Sequence, residues 1–156
     1  NPGLNLVTSI YSHFKLLIVN AKMVQNAINQ VRQTRAHDYA DILVIVNLQT
    51  LQGLQNLEEI VSLDGVDVVF VGPGDLSGEM GYPGDIYHPE VRSAIERVLE
   101  VTIRNGKIPG ALVDVTNVQY YHQKGVRYLY HHINNFLTRG ADEFFELVRN
   151  ETSVSQ

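Results

Sequence analysis

Residues 66–77 read Val66-Asp67-Val68-Val69-Phe70-Val71-Gly72-Pro73-Gly74-Asp75-Leu76-Ser77. The β-branched and aromatic run from Val66 to Val71 is the mark of a strand buried on both faces. It leads into Gly-Pro-Gly, a turn that lets the backbone approach a ligand closely, and then into a carboxylate. Backbone N–H groups freed by such a turn can bind an anionic group, and the Asp75 oxygens suit a hard divalent cation. The plainer reading is a turn aspartate that caps the following segment. The pattern alone leaves both open.

Outward from this stretch the same kind of strand recurs at 14–19, 42–48, 108–113 and 126–130, making five with 66–71. Between them the apolar residues fall at helical spacing. Leu54, Leu57, Ile60 and Val61 form one stripe, and Val91, Ala94, Ile95, Val98, Leu99 and Thr102 form another. Pro89 stands where a first helical residue belongs and Gly106 where a C′ glycine belongs, so both ends of the second helix are marked. Further helices are predicted from about Met23 to Arg32, Val115 to Lys124 and Asn135 to Val148. Strand–helix alternation with apolar strands predicts an α/β fold whose parallel sheet is covered by helices. Five units suit a small open sheet or part of a closed (β/α)8 barrel, which needs about 250 residues. Both architectures put their chemistry at the C-terminal ends of the strands. The expected organisation is a weakly patterned segment 1–13, one domain over 14–149 and a loose tail over 150–156.

Composition narrows the function classes. The chain has 156 residues, 44% hydrophobic and 19% charged, which is globular rather than disordered. Seventeen acids against twelve bases give a net charge of −5, which argues against nucleic acid as the main partner. With no cysteine there is no disulfide framework and no thiolate nucleophile or metal site. No apolar run approaches the roughly 20 residues of a membrane helix, and no signal peptide is evident, so the expected location is cytoplasmic. The Asn150-Glu151-Thr152 sequon then reads as a chance match. No P-loop, GxGxxG, GxSxG or HExxH motif occurs, which counts against nucleotide hydrolases, dehydrogenases, serine hydrolases and zincins.

Four motifs in order resemble the HpcH/HpaI-type pyruvate aldolases, the class II aldolases related to the citrate lyase β subunit and macrophomate synthase. Val46-Asn47-Leu48-Gln49-Thr50 resembles that family's Val-Gln-Ile-Glu-Thr. Asn56-Leu57-Glu58-Glu59-Ile60 with Asp64-Gly65-Val66-Asp67 resembles its next helix and turn. Gly72-Pro73-Gly74-Asp75-Leu76-Ser77, followed by Met80-Gly81-Tyr82 and His88-Pro89-Glu90-Val91, resembles its longest signature. Gly106-Lys107-Ile108-Pro109-Gly110 resembles the segment before its seventh strand. The resemblance implies a TIM-type barrel of which this chain holds strands four to eight. It implies a divalent metal (Mg²⁺, Mn²⁺ or Co²⁺) on Asp75 and Gln49, with Gly72, Pro73 and Gly74 cradling the pyruvate carboxylate. The implied partners are a small 2-keto acid and an aldehyde, and the implied assembly is a homo-oligomer through the C-terminal helix.

The chain departs from the family pattern in four places. The metal-binding Glu is Gln49, whose amide oxygen can ligate but brings no charge. The first three strands are not recognisable, and with them the family's His base and Arg. The Pro-Pro-x-Gly-x-Arg-Gly loop before the fifth strand is missing, since Gln33-Thr34-Arg35 runs almost directly into Ala36-His37-Asp38-Tyr39. The family's Val-Gly-Val-Asp is His131-His132-Ile133-Asn134 here. These losses lead to the expectation that the 156 residues are a fragment or a longer polypeptide with segments removed. They also keep two rivals in view: a repurposed barrel running another carbon–carbon reaction or cyclisation with little metal, and an inactive half-barrel that serves as an interaction module.

His131 and His132, adjacent in a predicted strand, should face opposite ways and so cannot chelate one metal; either is a candidate proton donor or ligand. Glu79 and Asp85 could replace the lost carboxylate, although solvated loop charges are the plainer reading. His88 should serve the turn before Pro89. Tyr120, Tyr121 and His122 should stack on the sheet from a helix. Tyr128 and Tyr130 should fill the core, or offer ring faces to a ligand.

Overall fold

A computed structural model describes residues 21–34 and 43–152, and the predicted strand 14–19 lies outside them. Four short strands, β1 (Ile45–Leu48), β2 (Val68–Val71), β3 (Ile108–Leu112) and β4 (Tyr128–Tyr130), form one parallel sheet in sequential order. Seven helices accompany them among the described residues: α1 (Ala21–Thr34), α2 (Leu51–Gln55), α3 (Leu57–Val61), α4 (Pro73–Glu79), α5 (Pro89–Arg104), α6 (Val118–Gln123) and α7 (Ile133–Thr152). Sequential order is what consecutive β/α units produce when each crossover has the usual right hand. The parallel α/β architecture is therefore the expected one.

Burial on both faces, which the sequence predicts, is met within β2 by Val68 and Val69 but does not extend along the whole sheet. On one face Val46, Leu48, Val69, Val71 and Ala111 pack beneath helices and are buried. α5 supplies Val91, Ile95, Val98 and Leu99 to that layer, and α3 supplies Leu57, Ile60 and Val61. α1 adds Ala21, Val24 and Ile28 from the same side. The other face carries the row Asn47, Phe70, Gly110 and Tyr128, in register across all four strands. Asn47 is exposed, while Phe70 and Tyr128 are half-buried. An apolar run specifies a strand, but whether its second face is covered depends on residues far away in the chain.

Local chemistry explains the element ends. Pro89 opens α5 and His88 caps it, with Nδ1 accepting from the Glu90 N–H at 3.4 Å. Gly106, at φ +71, follows the Asn105 C-cap, the left-handed position that glycine occupies without a Cβ clash. The helix predicted over 54–61 is instead two, α2 and α3, broken at Asn56. There the side-chain and backbone N–H groups both donate to the Gln52 carbonyl, so an asparagine competing for the backbone ends one helix before the next begins. α6 starts at Val118 rather than 115, because Asp114 to Asn117 close a turn on their own side chains. α7 continues to Thr152, so the first residues of the predicted loose tail are helical.

At the N-terminal edge of the sheet the Asp67 carboxylate accepts from the Val44 N–H at 2.7 Å, while the Val44 carbonyl accepts from the Asp67 and Val68 N–H groups. This reciprocal clasp sets the register of β1 on β2. Lys107 reaches the Leu63 carbonyl at 3.2 Å and ties the entry of β3 to the preceding loop. The Arg104–Glu58 ion pair between α5 and α3 is well exposed and adds little. No helix among the described residues is long and apolar enough to cross a membrane.

Gly110 is where the open face is tightest. A Cβ there would meet Tyr128 Cδ1 at 3.0 Å, Phe70 Cδ2 at 3.1 Å and the Phe70 Cα at 3.3 Å. Gly110→Ala should therefore destabilise the fold by about 1–3 kcal/mol, the usual cost of overpacking, as read from urea denaturation.

Candidate functional site

Where β1 and β2 end, the Gly72 N–H donates to the Leu48 carbonyl at 2.9 Å, extending the ladder by one bond. Gly72 is extended (φ −91, ψ 93) and serves as the N-cap of α4, with Pro73 buried at its first position. The Gly-Pro-Gly segment is thus a helix start rather than a free turn. Asp75 falls in the first turn, where a negative charge suits the helix dipole. The Gly74 and Asp75 N–H groups precede the first intrahelical donor and have no acceptor among the described residues. A Cβ on Gly74 would meet nothing within 4 Å, so the turn is open to an incoming group. The Asp75 carboxylate is exposed and makes no hydrogen bond or ion pair to a described residue.

Gln49 follows β1 directly and is only 7% exposed. Its Oε1 accepts from the Asn47 Nδ2 at 3.0 Å. A Cβ on Gly72 would sit 3.1 Å from the Asn47 Oδ1, 3.3 Å from the Gln49 Cβ and 3.5 Å from the Gln49 Oε1. The absent side chain of Gly72 is therefore the space in which the two amides lie. Asn47 is the residue that sequence reasoning passes over. Its signal is the two-residue spacing, which puts positions 47 and 49 on one face of a strand. Thr50, next in line, is committed to structure, its hydroxyl accepting from the Gly53 N–H at 3.0 Å to cap α2.

A hard cation needs oxygen ligands. No group of three His, Asp or Glu side chains converges anywhere among the described residues. Asp75 offers a charged oxygen and Gln49 a neutral one, with one lone pair left beside its bond from Asn47. Both are oxygen donors of the kind a hard divalent ion takes.

At the ends of β3 and β4 the two histidines stand beyond the strand, not within it. His131 approaches the Val113 carbonyl through Nδ1 at 2.5 Å, and its ring meets Phe136 at 4.3 Å. Donation from Nδ1 leaves Nε2 as the acceptor of the neutral ring. The exposed His132 ring lies edge-on to Tyr130 at 5.1 Å, and Tyr130 in turn is edge-on to Phe70 at 6.0 Å. His132 thus joins the open face, while His131 packs on α7. The Asp114 carboxyl is held below its usual range, first by the Thr116 hydroxyl and also by the Thr116 and Asn117 N–H groups and the nearby His131, against a desolvation that raises it.

Other candidates stay apart from this end or serve structure. Glu79 and Asp85 are exposed, and Asp85 accepts from the Tyr87 N–H at 3.2 Å. His88 stacks on Tyr82 with ring centres 3.5 Å apart, and a hydrogen bond to Glu90 raises the Tyr82 hydroxyl above its ordinary range. Of the aromatic trio on α6, only Tyr121 packs against the core. Tyr120 and His122 are exposed, and the Tyr120 hydroxyl bonds Glu96.

Comparison with known proteins places this geometry. A family model described as HpcH/HpaI aldolase/citrate lyase matches residues 18–133. A 4-hydroxy-2-oxo-heptane-1,7-dioate aldolase from Escherichia coli is 50% identical over 54 residues, which is 35% of this chain and 21% of that protein. An HpcH/HpaI aldolase/citrate lyase family protein from Burkholderia cenocepacia J2315 superposes with a TM-score of 0.69 at 30% identity. The match covers 86% of this chain and 53% of that one, so the chain spans about half the length of its solved relative. Macrophomate synthase shares the fold, with a TM-score of 0.60 at 20% identity over 72% of this chain and 40% of its own.

The Asp114 turn gives a direct check on the local geometry. A lowered carboxyl stabilises the fold above the unfolded value of about 3.9, and that contribution is lost as pH falls through the lower folded value. Thr116→Ala should move the Asp114 titration up towards the ordinary range in an NMR pH series. An unmoved midpoint would show that the hydroxyl is not what holds it.

Proposed function

The chain belongs to the HpcH/HpaI aldolase/citrate lyase family, and from that premise we propose that it makes or breaks a carbon–carbon bond between pyruvate, or another 2-keto acid, and an aldehyde. The observation that carries this reading is the exposed helix start Gly72-Pro73-Gly74-Asp75 at the end of the buried strand β2. Its N–H groups of Gly74 and Asp75, without an acceptor among the described residues, would donate to the two oxygens of a substrate carboxylate. Gly72, without a Cβ, lets the Asn47 and Gln49 amides lie close against the backbone of this segment. The Asp75 carboxylate and the Gln49 amide oxygen would hold the divalent cation, Mg²⁺, Mn²⁺ or Co²⁺. When bound, that ion supplies Lewis-acid polarisation of the keto oxygen. Enolisation needs a proton acceptor, and His132 is the imidazole on the open face, with His131 the alternative whose Nε2 is the acceptor of the ring.

A neutral Gln49 and the absence of a three-ligand cluster among the described residues favour one second reading. In it the barrel segment no longer turns over and acts as an interaction module. Titration with Mn²⁺ separates the two. The aldolase reading expects saturable binding that tightens when pyruvate is present, and no saturable binding would leave the second. Gln49→Glu keeps an acceptor for the Asn47 Nδ2 and adds a charge, so Mn²⁺ affinity should rise about tenfold, equal to about 1.4 kcal/mol. An unchanged affinity would remove Gln49 from the site.

The oligomer proposal rests on α7. Every residue from Ile133 to Arg149 is exposed, among them Phe136, Leu137, Phe144 and Val148 on one helical stripe. We propose that this stripe is covered by a second copy of the chain. Light scattering should give a mass above that of the monomer, and the double substitution Leu137→Asp with Phe144→Asp should reduce it to the monomer.

A further inference from the structure

We propose that the Gln49 side-chain Nε2 is a hydrogen-bond donor to an oxygen of the bound 2-keto acid, with Asn47 as the positioning residue that turns it; this rests on the function proposed above. Glutamine is mostly an exposed residue, yet Gln49 is only 7% exposed. A buried polar group has to be hydrogen-bonded, and only half of this amide is. Its Oε1 accepts from the Asn47 Nδ2 at 3.0 Å. Its Nε2, with two protons to give, has no acceptor among the described residues. A buried donor left in that state is costly, so the space beside it calls for an oxygen.

The direction of the donor follows from the planarity of the amide. Oε1 and Nε2 lie on opposite sides of one rigid group, so holding Oε1 on Asn47 turns Nε2 away from it. Positions 47 and 49 share one face of β1, and Asn47 stands there in register with Phe70 on the open face of the sheet. Asn47 is exposed, so the pair reaches solvent. Gln49 itself stands directly past the C-terminal end of β1, the end at which parallel α/β sheets take their ligands. An amide N–H suits a keto or carboxylate oxygen and brings no negative charge to repel it, whereas an ionised carboxylate at this position has no proton to give. The contact is made by the nitrogen and needs no divalent ion. It leaves the second lone pair of Oε1 for the cation proposed above.

The test titrates the full chain with pyruvate, once in EDTA and once with Mg²⁺, and follows the side-chain ¹⁵N–¹H resonances of Gln49. In EDTA the unsubstituted protein should show a saturable shift of the Gln49 pair. Gln49→Met, of similar length but without a donor, should weaken pyruvate about five- to tenfold, the size expected for one lost hydrogen bond. Gln49→Glu should weaken pyruvate in EDTA at least as much while Mn²⁺ binds more tightly, opposite changes that a loss of structure would not produce. It is also the variant to read if Gln49→Met does not fold, because it keeps the acceptor for the Asn47 Nδ2. Asn47→Ala should weaken pyruvate by a smaller factor and move the Gln49 resonances of the free protein towards those of an unconstrained glutamine. If pyruvate binds neither in EDTA nor with Mg²⁺, the proposed function fails and this inference with it. If pyruvate binds only with Mg²⁺, or leaves the Gln49 pair unmoved, or binds Gln49→Met as tightly, the donor role alone is overturned. Unchanged resonances and affinity in Asn47→Ala would remove Asn47 as the positioning residue.

Discussion

β2 is hydrogen-bonded on both sides, to β1 and to β3, and it buries Val68, Val69 and Val71. A strand so fixed cannot slide without breaking two ladders and turning apolar side chains towards water. Its last bond, from the Gly72 N–H to the Leu48 carbonyl, hands this rigidity to the turn that follows. Glycine, proline and glycine then start α4 within a single residue of the ladder's end. The N–H groups of Gly74 and Asp75 follow within three residues of that last ladder bond. The same bond brings Gln49, one residue past Leu48, against Gly72.

The sequence made some of this visible and concealed the rest for physical reasons. α5 could be read to within a residue or two, because Pro89 and Gly106 act through their own backbone preferences and need no distant partner. The strands could be placed by their apolar runs but ran longer in the reading than in the structure, and Val44 and Val66 flank strands rather than belong to them. The break at Asn56 was hidden because an asparagine's choice between helix and self-bonding depends on packing around it. The partial exposure of the sheet's second face, at Asn47 and Tyr130, was hidden because it depends on what lies opposite. In the site, Gly72 and Asp75 stood out through their motif, whereas Asn47, although it stands in a quoted motif, acts through a hydrogen bond to Gln49 that the motif does not announce.

The amide pair Asn47–Gln49 differs in kind from a carboxylate in the same place. A carboxylate there would face the entering carboxylate of a 2-keto acid with a like charge, and a cation would be needed to bridge them. A neutral amide removes that repulsion as well as the attraction for the cation. In the proposed site the amide would therefore weaken metal binding and relax the dependence of anion binding on metal together.

α7 begins only two residues after β4, and those two are His131 and His132. The helix is 20 residues long, about 30 Å of rigid rod, and its root is pinned by the Phe136 ring against His131. A rod anchored so close to the mouth works as a lever. A force on its far end would reach the near end, and with it the His131 ring that packs on Phe136. If a second copy of the chain grips the rod as proposed, its hold reaches the imidazole through that ring contact.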